Sequence, residues 1–125
     1  VELADDNAVR RMQPDLAAIA SLTLASSAVG LAVFGRSLKA DHQLAVRAFC
    51  PADGIPEDPV TGSANASIAA LMHSAGTLPG IDGRYLASQG RELGRDGRVE
   101  VQVDVDGEVW IGGQVQAVIR GRVDC

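Results

Sequence analysis

The sequence predicts an α+β domain in which a curled antiparallel sheet wraps around one central α-helix. Three observations carry this prediction. From Pro59 to Ile81 the chain has no formally charged side chain and is rich in alanine, the pattern of a helix apolar on nearly every face and therefore buried inside a fold. Arg98 to Val105 alternates polar and apolar residues without a fault and leads into Asp106-Gly107, a strand followed by a turn pair that tolerates positive φ. Hydrophobic residues make up 46% of the chain and aromatics only 3%, so Val and Ala must supply the core, which suits a sheet packed tightly on a slim helix.

Taken in order, Val1 to Leu3 reads as a strand end, and Asp5-Asp6-Asn7 offers N-caps for a short helix through Met12. Pro14 suits the first turn of a second helix, Asp15 to Leu24, with Leu16, Ile19, Ala20 and Leu24 on one stripe and Ser26-Ser27 at its end. Ala28 to Phe34 and Leu44 to Phe49 are strands separated by a polar turn, Gly35 to Gln43. Pro51 to Pro56 is a loop. The central helix spans Gly62 to Ala75, with Gly76 just beyond its end and Pro79 blocking continuation; its length is about 20 Å, enough to thread a small barrel. An antiparallel meander follows: Arg84 to Gln89, a Gly94–Gly97 turn, Arg98 to Val105, Glu108 to Ile111, a bulge or sharp bend at Gly112-Gly113, and a last strand from Gln114 to Val123.

The 125 residues are enough for one domain with its own core. A net charge of −5 argues against nucleic-acid binding, since no basic excess exists to neutralise phosphates. No apolar run approaches the length of a membrane span and no signal peptide is visible. Cys50 and Cys125 form no disulfide framework, so a reduced, cytoplasmic setting is expected. The chain opens on Val1 rather than a methionine, and a longer natural chain is one expectation.

The chemistry concentrates in Pro56-Glu57-Asp58-Pro59-Val60-Thr61-Gly62-Ser63-Ala64-Asn65. A helix start carries free backbone N–H groups and the positive end of the helix dipole, and small residues there let an anion approach. Pro59 disfavours helical geometry at Asp58 and keeps it extended ahead of the helix. This stretch therefore reads as a helix N-terminus, fronted by Asp58, that faces a ligand pocket. Ordinary capping by Thr61 or Ser63 is compatible with that reading, and Asp58 as a simple turn cap is its competitor.

The run from Arg47 to Ala64 (RAFCPADGIPEDPVTGSA) resembles the signature of the PhzF family, the phenazine-biosynthesis-type isomerases. Ser88-Gln89-Gly90 with Gly94-Arg95-Asp96-Gly97, Val109 to Gly113, and Val118-Ile119-Arg120-Gly121 resemble further family segments in the same order. The resemblance covers Gln43 to Val123. It implies the diaminopimelate epimerase-like fold: two similar halves, each a barrel-like sheet around a helix, with the active site in the cleft between them. This chain resembles the C-terminal half only. The family's catalytic glutamate, with a histidine near it, belongs to the N-terminal half and has no counterpart here. By the resemblance, Asp58 faces that glutamate across the cleft, and Gly62 and Ser63, beside Thr61, hold the substrate carboxylate. The reaction implied is cofactor-independent proton movement on a small cyclic or amino-acid-like carboxylate, best known for a dihydro-hydroxyanthranilate. The partners implied are an N-terminal half and a second copy in a homodimer. The alternative is a half-domain that binds a small carboxylate or self-associates without catalysis.

The remaining titratable residues read as structural. Glu57 is a solvated or structural neighbour, and Cys50, on a strand end, a small buried residue. His42 is expected to be solvated in its polar turn, and His73 lies on the helix far from the site. Two distant histidines without clustered carboxylate or thiol ligands make no metal site. Arg84, Arg91, Arg95 and Arg98 form a basic cluster that reads as solvated surface.

Overall fold

The computed structural model describes residues 1–39 and 41–123, so Cys125 lies outside the described residues. The elements are α1 (Asp6–Arg11), α2 (Leu16–Ser26), β1 (Leu31–Arg36), β2 (Leu44–Cys50), β3 (Ile55–Asp58), α3 (Gly62–Ser74), β4 (Arg84–Gln89), β5 (Gly97–Val103) and β6 (Val109–Gly112). Short 3-10 turns occupy Pro51–Asp53 and Arg91–Leu93. The strands form one six-stranded open sheet in the order β1-β2-β4-β5-β6, with β3 also paired to β2. No helix among the described residues is long and apolar enough to cross a membrane.

The sheet is not purely antiparallel: β2 and β4 pair parallel, Leu44–Val46 against Ala87–Gln89. A parallel pair needs a long crossover, and β3 and α3 supply it. β3 pairs antiparallel with the other end of β2, Ala48 opposite Asp58 and Cys50 opposite Ile55. One edge of β2 is thus shared, and the C-terminal ends of β3 and β4 meet head to head at its middle. Asp58 and Gln89 are the residues that meet. The loop expected at Pro51–Pro56 is therefore half turn, half strand.

β2 is buried on both sides and separates two cores. On one face Phe34, Leu44, Val46, Tyr85, Ala87, Val99, Val101 and Val103 pack against Ile68, Ala69 and Met72 of α3. On the other face Val33, Ala45 and Phe49 pack against Val9 of α1 and Ile19 of α2. Asp5 and Asp15 cap those two helices through side-chain bonds to the N–H groups of Ala8 and Ala18. In α2 the buried positions are Ile19 and Thr23, while Leu24 is 72% exposed, so the expected stripe holds at Ile19 but ends on Thr23 instead of Leu24. β1 starts at Leu31 because Ala28 completes the end of α2, its N–H bonding Thr23 O at 2.9 Å.

Two expectations are not met among the described residues. α3 covers one face of an open sheet and keeps its outer side exposed, with Leu71 at 56%; no described strand wraps around it. Gln114–Val123 forms no strand, and Val115, Val118, Ile119 and Val123 are almost fully exposed. Alternation specifies which face of a strand is apolar, but a strand also needs an edge to pair with, and β6 has already ended at Gly112. β5 likewise stops at Val103, because the Asp104 carboxylate takes over the turn by accepting from the N–H groups of Asp106 and Glu108. Only Gly107 of the turn pair adopts positive φ.

His42 is also corrected: it is fully buried. Its Nε2 lies 2.8 Å from Asp6 Oδ2 and its Nδ1 2.8 Å from Asp41 Oδ1. Lys39 and Arg10 reinforce Asp6. Of the arginines read as solvated surface, Arg91 and Arg98 converge on Asp41 Oδ2 at 3.1 Å each, while Arg84 and Arg95 stay exposed. Burial pushes the Asp6 carboxyl up, but bonds from His42, Lys39 and Ser37 outweigh it and leave it below its ordinary 3.8. The Arg98 guanidinium, followed by His42, holds Asp41 well below that value. A carboxylate with a lowered folded-state pKa adds stability above its unfolded value and loses that contribution as pH falls through the folded one. Urea midpoints are therefore expected to drop as pH falls below about 4. Asp6→Asn should be less stable at neutral pH and show a shallower acid decline. An unchanged decline in that variant would remove Asp6 from the acid response.

Candidate active site

The site is built outward from β2. Arg47 is buried, and its guanidinium grips Glu57 with two 2.8 Å bonds, Nε to Oε1 and Nη2 to Oε2. Nη1 donates to the last carbonyls of α1, Met12 O at 2.7 Å and Val9 O at 3.3 Å. The guanidinium carbon sits 5.1 Å from the Phe49 ring centroid, a cation–π distance. The bond to Glu57 raises the Arg47 pKa above its already high value. Glu57 is thus a structural anchor that pins β3 to α1, the second of the two readings, solvated or structural, that the sequence left open.

One residue later the strand alternation turns Asp58 to the other face. Its Oδ2 accepts from Thr61 Oγ1 at 2.6 Å, the short distance of a charge-assisted bond. Thr61 is the N-cap residue of α3, but its side chain makes no capping bond to the helix. Its hydroxyl is already committed to Asp58. The backbone N–H groups of the first turn, Gly62 to Ala64, precede the intrahelical ladder and are free to meet an anion. Gly62 and Ser63 are exposed, and Asp58 and Thr61 are half-buried.

Two residues that the sequence pattern does not single out hold this arrangement together. Gln89, the last residue of β4, is completely buried. Its Nε2 donates to Asp58 O and to Thr61 Oγ1, both at 2.9 Å. Its Oε1 accepts from Thr61 N at 3.1 Å and from Asn65 Nδ2 at 2.9 Å. Asn65, 1% exposed on α3, also donates from Nδ2 to Thr61 O at 2.8 Å. The signals available were an amide within a helix of small and apolar residues, one turn after a threonine, and the Ser88-Gln89-Gly90 segment of the family resemblance. Gly90 lets the end of β4 come this close: it sits at φ +92°, and a Cβ there would lie 2.5 Å from Pro59 O.

The structure brings Asp58 and Thr61 into direct contact and sets Gly62 and Ser63 beside them, but the four do not share one cavity. Thr61 and Ser63 line an open, mostly apolar groove of about 500 Å³ with Ala32, Ala48, Cys50 and Leu71. Gly62 lines a separate hollow of about 270 Å³ with Val60, Asp96, Arg98 and Ile111. Asp58 lines neither of them. Cys50 is half-buried in the groove, and burial, then the Asp53 and Asp58 charges, push its thiol up. A raised thiol is a poor nucleophile at neutral pH. Among the described residues no three His, Cys, Asp or Glu side chains are grouped to hold a metal ion.

Comparison with known proteins gives one consistent family. The family model PhzC-PhzF, described as phenazine biosynthesis-like protein, matches residues 1–121. An uncharacterized isomerase of Deinococcus radiodurans is 39% identical over 117 residues, which is 89% of this chain and 37% of that protein. A second, from Clostridium acetobutylicum, is 33% identical over 92% of this chain and 40% of its own length. The chain therefore spans about two fifths of these relatives. Among solved structures, a predicted epimerase from Pseudomonas aeruginosa superposes with TM-score 0.63 at 28% identity, covering 98% of this chain and 41% of that one. A PhzF-family phenazine biosynthesis protein of Bacillus anthracis gives TM-score 0.66 at 24% identity over 89% of this chain and 39% of that one, a likeness of fold.

Proposed function

The chain belongs to the phenazine biosynthesis-like PhzC-PhzF family, and from that membership we propose that it is the C-terminal part of a cofactor-independent isomerase or epimerase. Its substrate is a small carboxylate, cyclic or amino-acid-like, and its reaction is the movement of one proton. The observation that carries the reading is Asp58, bonded through Thr61 at the mouth of a helix whose first N–H groups have no cap. Those N–H groups suit a carboxylate, and Asp58 stands beside it to take or return a proton. A shuttle needs a second group on the other side of the migrating proton, and an N-terminal half supplies it, a glutamate by family resemblance. The relatives, more than twice as long as the matched region, support this division. In the complete protein the outer side of α3 and the apolar groove are covered, giving the barrel-like wrapping around a central helix, and the protein pairs as a homodimer.

The test is solvent exchange. The complete protein, this chain joined to its N-terminal half, is incubated in D2O with dihydro-hydroxyanthranilate and a panel of small amino and cyclic acids. Deuterium should enter one carbon-bound position of at least one compound with no cofactor added. Carboxylate binding with no exchange across the panel would favour a binding module instead.

A further inference from the structure

We propose that Gln89 is a positioning residue for Asp58: it fixes the direction of every hydrogen bond between them, so that Thr61 must donate to one carboxylate oxygen and the other is left for the substrate's proton. The inference rests on the reading that Asp58 carries the proton.

The directions follow from groups that have no choice. The backbone N–H of Thr61 can only donate, so the atom of Gln89 facing it at 3.1 Å is the carbonyl oxygen. The other end of the side chain is then the NH2 group, which suits its second neighbour, Asp58 O, a group that can only accept. A flipped amide would set NH2 against N–H and oxygen against oxygen. The second proton of Nε2 goes to Thr61 Oγ1 at 2.9 Å. The Thr61 hydroxyl therefore accepts from Gln89, and its single proton is directed to Asp58 Oδ2. Asn65 completes the set by donating to Gln89 Oε1. Both protons and both lone pairs of the Gln89 amide are used, as burial demands. Among the described residues no side chain bonds Asp58 Oδ1.

An ordinary brace would need only a side chain of the right shape. A polarity setter needs an amide. Gln89→Glu separates the two, because it keeps the shape and still accepts from Thr61 N and Asn65. As a carboxylate the new side chain cannot donate, so the Thr61 hydroxyl turns toward it and abandons Asp58. As a carboxylic acid it donates again. Asp58 is the one charged side chain in the wild-type set of bonds, and α3 contributes none before His73.

In the exchange assay on the complete protein, Gln89→Glu should lower kcat at least tenfold at neutral pH with KM little changed. Its rate relative to wild type should climb as pH is lowered. A wild-type rate, or a deficit constant with pH, would overturn the inference while leaving Asp58 in its role. Asp58→Asn run in parallel distinguishes the two: exchange surviving in that variant overturns both. Should Gln89→Glu fail to fold, the 125-residue chain labelled with 15N gives a second reading. One Gln89 Nε2 proton should lose its downfield shift in Thr61→Val, and two protons at exposed-amide shifts in wild type would overturn the assignment.

Discussion

Asp58→Asn is expected to abolish deuterium incorporation by the complete protein, with a loss of at least about a hundredfold and up to about ten-thousandfold, the range for removing a positioned acid or base. This substitution changes one property only. Asn keeps the shape, still accepts the Thr61 hydroxyl bond through its amide oxygen, and leaves the backbone carbonyl that receives Gln89 Nε2 unchanged. Asp58 is half-buried and makes no ion pair among the described residues, so no buried countercharge is orphaned. Folding should therefore be unaffected, with a urea midpoint close to wild type. Only the ability to give and take a proton is lost. Exchange at the wild-type rate in a folded Asp58→Asn protein would remove Asp58 from the mechanism.

What the sequence made legible is what local physics decides. α3 begins at Gly62 and ends within a residue of the expected boundary, and β4 is Arg84–Gln89 as its pattern requires. Caps, glycines and alternation act over a few residues, so they can be read from a few residues. What escaped is decided elsewhere in the chain. β3 is four residues long and contains Pro56, and only the free half-edge of β2 makes it a strand. His42 has the neighbours of a solvated turn residue, yet Asp6, 36 positions upstream on α1, buries it. Gln89 and Asn65 carry the candidate site although no motif joins two amides 24 residues apart. α3 shows the opposite case. Its composition asks for cover on every side, and this chain covers one; the relatives extend well beyond the length that this chain matches.

Glu57→Ala should cost about 3–5 kcal/mol, the penalty for stranding one partner of a buried ion pair. The side chains of Arg47 and Glu57 are 6% and 9% exposed, and two parallel bonds join them. Without Glu57, the guanidinium keeps the Met12 and Val9 carbonyls but faces an apolar floor of Phe49 with its charge unbalanced. Urea unfolding of the 125-residue chain measures the loss directly. The double variant Arg47→Met, Glu57→Met removes both charges and should recover most of the stability, because a buried pair often contributes little beyond an apolar pair of similar volume. Recovery in the double variant is the sharper outcome, since it assigns the loss in Glu57→Ala to an orphaned charge rather than to missing contacts. A loss below about 1 kcal/mol in Glu57→Ala, the value of an exposed pair, would mean that solvent reaches Arg47. The consequence for the site follows from spacing. Glu57 and Asp58 are consecutive on opposite faces of β3, so the ion pair under the sheet holds the carboxylate above it. Glu57→Ala should then lower both stability and exchange, whereas Asp58→Asn lowers exchange alone, and the two variants together separate the anchor of the strand from its chemistry.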